Sequence, residues 1–158
     1  MTANAGKAAI FCDLVGTLVR MDDTRQLPLD ARGSVIVELL PGVAEKLGPL
    51  HDHLIFVVSN QAGIKRGRLT RERVEAAMAE LDRKLGGILG AWKICPHDDA
   101  DKCGCRKPKG GMILELARDH GVDLKASLMV GDQEIDEQAA RAAGLGRFVY
   151  AKDFFGWK

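Results

Sequence analysis

Long hydrophobic runs, repeats and an excess of charge of either sign are all missing from this chain. No apolar stretch approaches the roughly eighteen residues of a membrane span, so no transmembrane helix is expected. With 23 Lys and Arg against 22 Asp and Glu, the net charge of +1 leaves bulk electrostatics nothing with which to hold nucleic acid or an anionic membrane. Met1 to Lys7 lacks the apolar core of a secretory signal, so a cytoplasmic location is the expectation. Neither an internal repeat nor a low-complexity linker divides the chain. Its 158 residues fit one domain, residues 1–158, with enough length for a buried core.

What is present is an alternation of apolar strands and amphipathic helices. Residues 8–14 read as a continuous apolar strand ending at Asp13, a pattern expected of burial on both sheet faces. From Val15 to about Val37 the pattern loosens into a flap or small hairpin. Pro41-Gly42 opens a short helix to about Leu50, and Leu54–Val58 reads as a second buried strand closed by Ser59-Asn60-Gln61-Ala62-Gly63. Thr70 is a good N-cap for a helix over Arg71–Leu85, with Val74, Met78, Leu81 and Leu85 as its apolar stripe. Ala91–Cys95, Ser127–Val130 and Phe148–Tyr150 complete the strands, and Met112–His120 and Glu134–Ala143 the helices, stopped by Gly121 and Gly144. The tail, Phe154-Phe155-Gly156-Trp157-Lys158, either packs on the body or reaches a second subunit; a monomer is the default. Alternating strands and helices specify an α/β domain with a mostly parallel sheet. In such sheets chemistry sits at the carboxyl ends of the strands, where Asp13, Ser59 and Asp132 all fall.

An aspartate attacking a phosphate meets anion repulsion, so its site must supply positive charge and N–H donors. Asp13, Asp132 and Asp136 offer metal-site oxygens, Lys107 a fixed cation and Ser59 a phosphate donor; hard oxygen ligands favour Mg2+. Cys95-Pro96-His97 and Cys103-Gly104-Cys105 form a C-x-H…C-x-C set whose three thiols and one imidazole suit a closed, structural zinc site. A Cys103–Cys105 redox pair and an empty reduced loop are the alternatives. Cys12, in the strand before Asp13, reads as a buried core residue.

In order, Asp13-Leu-Val-Gly-Thr17, Ser59-Asn60-Gln61, Arg106-Lys107-Pro108 and Gly131-Asp132-x-x-x-Asp136 resemble the four motifs of the haloacid dehalogenase superfamily. The flanking residues Ala62-Gly63-Ile64, Arg66-Gly67 and Cys103-x-Cys105 through Gly111-Met112 are similar to its subfamily IIIA. That branch holds the heptose 1,7-bisphosphate and histidinol-phosphate phosphatases, with polynucleotide 3′-phosphatases as relatives. The resemblance spans about residues 8–150. It implies a Rossmannoid three-layer sandwich without a separate cap domain, carrying a zinc-stapled loop over residues 95–105. It further implies Asp13 as nucleophile, with Asp13, the Val15 carbonyl and Asp132 holding Mg2+ and Asp136 supporting them directly or through water. Ser59 would bind phosphoryl oxygens, Lys107 would orient Asp13, and Thr17, Asn60 and Arg106 would contact substrate. Cys95, His97, Cys103 and Cys105 would hold zinc, as in heptose bisphosphate phosphatases.

Two departures matter. The family phosphatases carry an aspartate where this chain has Val15, which removes acid–base help typically worth about 10²–10⁴ in rate. The expectations are a substrate with a good leaving group, a weak phosphatase or phosphotransferase, or a binding relative that has lost turnover. The flap, Val19 to Arg32, also lacks the Gly-Tyr-rich stretch of the heptose enzymes. Short gaps between motifs leave no room for a cap, so the site should be open to a small phosphorylated metabolite. A nucleic-acid 3′-phosphate is the alternative, disfavoured by the near-neutral charge. Lys65, Arg66, Arg68, Arg71 and Arg73 are either a solvated helix start or an anion-binding rim.

Overall fold

The computed structural model describes residues 6–158. The leading segment read above for a secretory signal lies mostly outside that range. Ten elements follow in order: β1 (Ala9–Cys12), α1 (Val43–Leu47), β2 (Leu54–Asn60), α2 (Arg71–Lys84), β3 (Ala91–Cys95), α3 (Gly111–His120), β4 (Leu128–Gly131), α4 (Glu134–Ala143), β5 (Arg147–Tyr150) and α5 (Ala151–Phe155). Single 3-10 turns at Gly48–Leu50, Asp99–Asp101 and Leu124–Ala126 fill connections between them.

The five strands form one sheet in the order β3-β2-β1-β4-β5, and every pairing is parallel. A parallel sheet needs a crossover between neighbouring strands, and the crossovers cover both faces. The strand residues divide between two cores by the period of two. Ile10, Cys12, Ile55, Val57 and Val130 face one core with α1, α2 and the flap. Ala9, Phe11, Phe56, Val58 and Met129 face the other, with α3 and α4. Cys12 is a core residue with no exposed surface.

Helix α2 begins where Thr70 Oγ1 accepts the Arg73 N–H at 3.2 Å, satisfying one of the unpaired donors of the first turn. Its buried stripe is Val74, Ala77, Met78 and Leu81. Gly121 and Gly144 end α3 and α4 in the left-handed conformation. Ser59 and Asn60 lie within β2 rather than beyond it, because their backbone still pairs with Ile94 and Cys95 of β3.

Residues 19–40 form a flap held by the isolated bridges Val19↔Leu39 and Leu29↔Val35 and pinned by the buried Leu27. The C-terminal tail packs on the body. Phe154, Phe155 and Trp157 lie against the core on the α1 side, and the Trp157 indole N–H donates to the Pro41 carbonyl at 2.6 Å. Among the described residues no helix is long and apolar enough to cross a membrane.

Candidate active site

Three neighbouring strand ends converge. Asp13 follows β1, Ser59 lies near the end of β2 and Asp132 follows β4, and β1 is flanked by both other strands. The order of strands reverses between β1 and β4, the crevice where open α/β sheets bind ligands. The Asp13 N–H donates to the Val130 carbonyl at 3.0 Å, fixing the carboxylate just past the last paired residue of β1. Gly16 then turns the chain at φ +83, and a Cβ there would strike the Asp132 carboxylate, so glycine is required twice over.

Lys107 arrives from the loop before α3 and is 3% exposed. Its ammonium donates to Asp13 Oδ1 at 2.7 Å, Asp136 Oδ1 at 2.8 Å and the Val58 carbonyl at 3.0 Å, which engages all three protons. Burial alone would lower the lysine's pKa, but the charges of Asp13 and Asp136 outweigh it and hold the group above its ordinary value.

The carboxylates are less well supplied. Thr17 Oγ1 lies 3.2 Å from both Asp13 Oδ2 and Asp132 Oδ1, and one hydroxyl proton cannot serve both. Burial, then the facing Asp13 and the charge of Asp136, push Asp132 up to about 7, and Asp136 is raised by burial and by Asp13. Oxygens of Asp13, Asp132 and Asp136 lie within 4.8 Å of one another. Among the described residues no hydrogen-bond donor reaches the Val15 carbonyl beside them. Hard oxygens with too few protons between them fit a divalent cation such as Mg2+.

This electrostatic state has a sign that can be measured. A carboxyl group raised in the fold holds a proton that the unfolded chain releases near pH 4, so metal-free stability falls as pH rises from about 4 to about 7. In chelator, wild type is therefore expected to lose Tm relative to Asp132→Asn between about pH 5 and pH 7.5, and parallel curves would refute this. Mg2+ at about a hundredfold excess over its Kd should raise the wild-type Tm by roughly 5–10 °C at neutral pH, as followed by thermal melts.

The side chains expected at the site are brought together, and the hydrogen bonds of three of them are already engaged within the protein. Thr17, expected to contact substrate, has no exposed surface, and its hydroxyl lies within hydrogen-bond distance of both Asp13 and Asp132. Asn60, expected in the same role, clamps the Lys107 backbone: its Nδ2 donates to the Lys107 carbonyl at 3.0 Å and its Oδ1 accepts the Lys107 N–H at 2.9 Å. Asp136, expected at the metal, has both oxygens engaged, Oδ1 with Lys107 and Oδ2 with the backbone N–H groups of Asp132 and Gln133. Ser59 lies on the cleft wall, 1% exposed, with Oγ accepting from Gln61 Nε2 at 2.8 Å. Arg106 also lines the cleft, tied back to Asp99 at 2.8 Å and to the His97 carbonyl at 3.1 Å.

The basic cluster after β2 divides: Arg71 and Arg73 are exposed in the first turn of α2, and the other three turn elsewhere. Lys65 pairs with Asp98 and Asp101 of the cysteine loop, and Arg68 pairs with Asp22 of the flap at 2.9 Å; Arg66 lines the cleft. The loop after β2 thus bridges flap and cysteine loop around a cleft of about 240 Å3. Sequence reading missed Arg25, Gln61 and Gln133, which share that lining. Gln61 stands in the Ser59-Asn60-Gln61 motif and so carried a signal; Arg25 and Gln133 carried none.

Cys95, His97, Cys103 and Cys105 place their ligand atoms within 4.8 Å of one another. Cys95 Sγ lies 2.9 Å from Cys105 Sγ and 3.6 Å from Cys103 Sγ, and His97 Nδ1 lies 3.3 Å from Cys105 Sγ. Three thiols and an imidazole converging at this spacing fit a tetrahedral zinc ion with no open position.

A family model described as HAD-hydrolase-like matches residues 104–155. The D-glycero-beta-D-manno-heptose-1,7-bisphosphate 7-phosphatase of Haemophilus ducreyi is 34% identical over 152 residues, covering 89% of this chain and 80% of its own. The enzyme of the same name from Salmonella typhi is 35% identical over 160 residues, covering 91% and 80%. The crystal structure of the D,D-heptose 1,7-bisphosphate phosphatase from B. bronchiseptica, complexed with magnesium and phosphate, superposes with a TM-score of 0.76. It is 30% identical, with 89% of this chain and 78% of that one covered. By sheet order, by motif order and by these matches, the chain belongs to the haloacid dehalogenase-like hydrolases, on the branch of the heptose-bisphosphate phosphatases.

Proposed function

We propose that this chain is a Mg2+-dependent phosphatase of small phosphorylated metabolites, of the sugar phosphate or bisphosphate kind, working through an aspartyl-phosphate on Asp13. The observation that carries this reading is the convergence at one strand edge of Asp13, a fully engaged Lys107 and the Asp132 carboxylate. The heptose-bisphosphate phosphatases similar to it, and the magnesium and phosphate held by one of them, support the same chemistry.

In this reading an Asp13 carboxylate oxygen attacks phosphorus in line, and the bond to the leaving oxygen breaks on the opposite side. Lys107 holds Asp13 in place through Oδ1 and opposes the charge that accumulates. Ser59 donates to a phosphoryl oxygen, and Arg106 faces the rest of the substrate. Thr17 and Asp136 position the carboxylates and the lysine, and Asn60 fixes the Lys107 backbone. Magnesium, when bound, would be held by Asp13, Asp132 and the Val15 carbonyl and would supply positive charge against the phosphoryl oxygens. Water hydrolyses the aspartyl-phosphate in the second step.

Val15 shapes the substrate range. Its side chain offers no proton to the departing oxygen, so substrates with acidic leaving groups are favoured. Wild type is expected to turn over acetyl phosphate and p-nitrophenyl phosphate in Mg2+ and to be slow on sugar phosphates. Val15→Asp should raise the sugar-phosphate rate by about 10²–10⁴, and Asp13→Asn should remove activity on every substrate. Activity that survives Asp13→Asn would sink the aspartyl-phosphate. A wild type inert on the whole panel, with an active Val15→Asp, would favour a domain that has kept the site without turnover. DNA bearing 3′-phosphate ends, in the same panel, separates a nucleic-acid substrate from a metabolite.

A further inference from the structure

Arg25 reaches the candidate site from the flap, and no motif gives it a role. The turn that carries it is built on Asp22, whose Oδ1 accepts the Thr24 and Gln26 N–H groups at 2.8 and 3.0 Å. The Arg25 N–H donates to the Asp22 carbonyl at 3.0 Å, and the Asp22 N–H donates to the Gln26 carbonyl at 2.8 Å. Asp22 Oδ2 takes Arg68, which also donates to the Leu27 carbonyl at 2.9 Å, so the turn is fastened to the loop after β2. Inside it Arg25 adopts φ +64, a left-handed conformation that side chains of this size seldom take. Residues held there by surrounding structure concentrate at functional sites.

The guanidinium is half-exposed and rests against Asp132 at the cleft rim. Nη2 lies 3.1 Å from Asp132 Oδ2, and with the Gln133 amide turned so that its oxygen faces Arg25, Nη2 and Nε lie 2.6 and 2.9 Å from that oxygen. Nη1 has no partner among the described residues, and Arg25 shares the cleft wall with Val15. In-line departure places the leaving oxygen about 5 Å from the attacking one, since reacting atoms start about 3–3.5 Å apart. Asp13, Val15 and Arg25 line one cleft, so the guanidinium stands on the wall of the space into which a leaving group on a phosphate held at Asp13 departs.

We propose that Arg25 stands in for the proton donor absent at Val15, stabilising the leaving oxygen by charge and N–H donation. The inference rests on the phosphatase reading above. Guanidinium stays protonated throughout the working pH range, so it screens the departing oxyanion without giving up a proton. Its contribution then grows with the charge that the leaving oxygen develops.

The test is kcat/KM over a series of aryl phosphates of rising leaving-group pKa, with acetyl phosphate at the acidic end, for wild type, Arg25→Lys and Arg25→Gln. Arg25→Gln is expected to lose about a hundredfold on phenyl phosphate, the size of a lost oxyanion donor, and under about threefold on acetyl phosphate. Arg25→Lys should recover part of the loss. Because Arg25 touches Asp132, all three proteins are compared at Mg2+ concentrations that saturate each of them. A loss equal across the series, or one removed by raising Mg2+, would overturn the assignment and leave Arg25 as a partner of Asp132 alone. Asp13→Asn in parallel keeps the two ideas apart. Turnover insensitive to Asp13→Asn fails the phosphatase mechanism, whereas Asp13-dependent turnover with a flat Arg25 series fails only the role of Arg25.

Discussion

Lys107→Met is expected to damage the fold and abolish turnover together, with a stability loss of about 3–5 kcal/mol, the usual cost of breaking a buried ion pair from one side. The side chain is 2% exposed, and methionine fills much of its volume, so packing is not what is lost. What is lost is the cation between Asp13 Oδ1 and Asp136 Oδ1, leaving buried carboxylates facing one another and the Val58 carbonyl without its donor. For a chain of this size that corresponds to a fall in Tm on the order of 10 °C. The raised lysine pKa keeps the pair charged below its already alkaline titration, so the loss should be the same across the neutral range. Asp13→Asn is the contrast. It also ends activity, but its amide oxygen still accepts from Lys107 and one of three crowded negative charges is gone, so the fold should survive. Urea unfolding and activity measured on both variants check the pair; a Lys107→Met protein as stable as wild type would show that the network contributes nothing to folding.

Cys105→Ser, or chelation of the zinc proposed for the cysteine loop, is expected to give the second large effect. The loop from Cys95 to Cys105 has few apolar residues between its cysteines, and Asp98, Asp99 and Asp101 crowd its outer turn. Burial pushes the Cys95 and Cys105 thiols up, while the Arg106 N–H and neighbouring donors outweigh burial at Cys103 and bring it down to about 6. Cys95 and Cys105 thus stay protonated at neutral pH without a cation, and metal binding drives the deprotonation that closes the site. Structural zinc sites contribute on the order of 10 kcal/mol of apparent binding energy in small peptides. Arg106 and Lys107 follow Cys105 directly, and Arg106 is tied to Asp99 and His97 inside the loop. Chelation should therefore lower Tm by more than about 10 °C and abolish activity in the same titration. Metal analysis of protein purified under reducing conditions should find one zinc per chain, and its absence would refute the site.

Much of this was legible in the sequence, for definite reasons. Buried parallel strands write themselves as short apolar runs, so β1 to β5 could be placed to within a residue or two, and Thr70, Gly121 and Gly144 marked helix ends through local chemistry. Ala91–Cys95 and Glu134–Ala143 fall where the pattern put them. The convergence of Asp13, Ser59, Lys107 and Asp132 was readable because each stands at a fixed offset from a strand or a motif. Contacts made across the chain were not. Nothing in Asp22-Asp23-Thr24-Arg25 announces that Arg25 will meet Asp132, 107 positions away. Lys65 and Arg68 looked like free positive charge because their partners, Asp98, Asp101 and Asp22, are distant in sequence. Thr17 and Asn60 lie beside Asp13 and Lys107, but their hydrogen-bond partners decide what they touch, and composition carries no trace of those partners.

The way the flap is attached has a consequence for how such a molecule diversifies. The carboxylates and the lysine ride on the sheet and on the chain around α3 and α4, whereas residues 19–40 pack Val19, Leu27, Leu29, Val35 and Leu39 on the core and reach the carboxylates through Arg25. A segment that takes no part in the sheet can change at its exposed turn, residues 22–26, while the strand ends keep their register. Change in that one stretch alters which molecule is admitted without disturbing the reacting groups. Descent with modification then has a replaceable visor to work on, and an old reaction can acquire a new clientele by rewriting that turn.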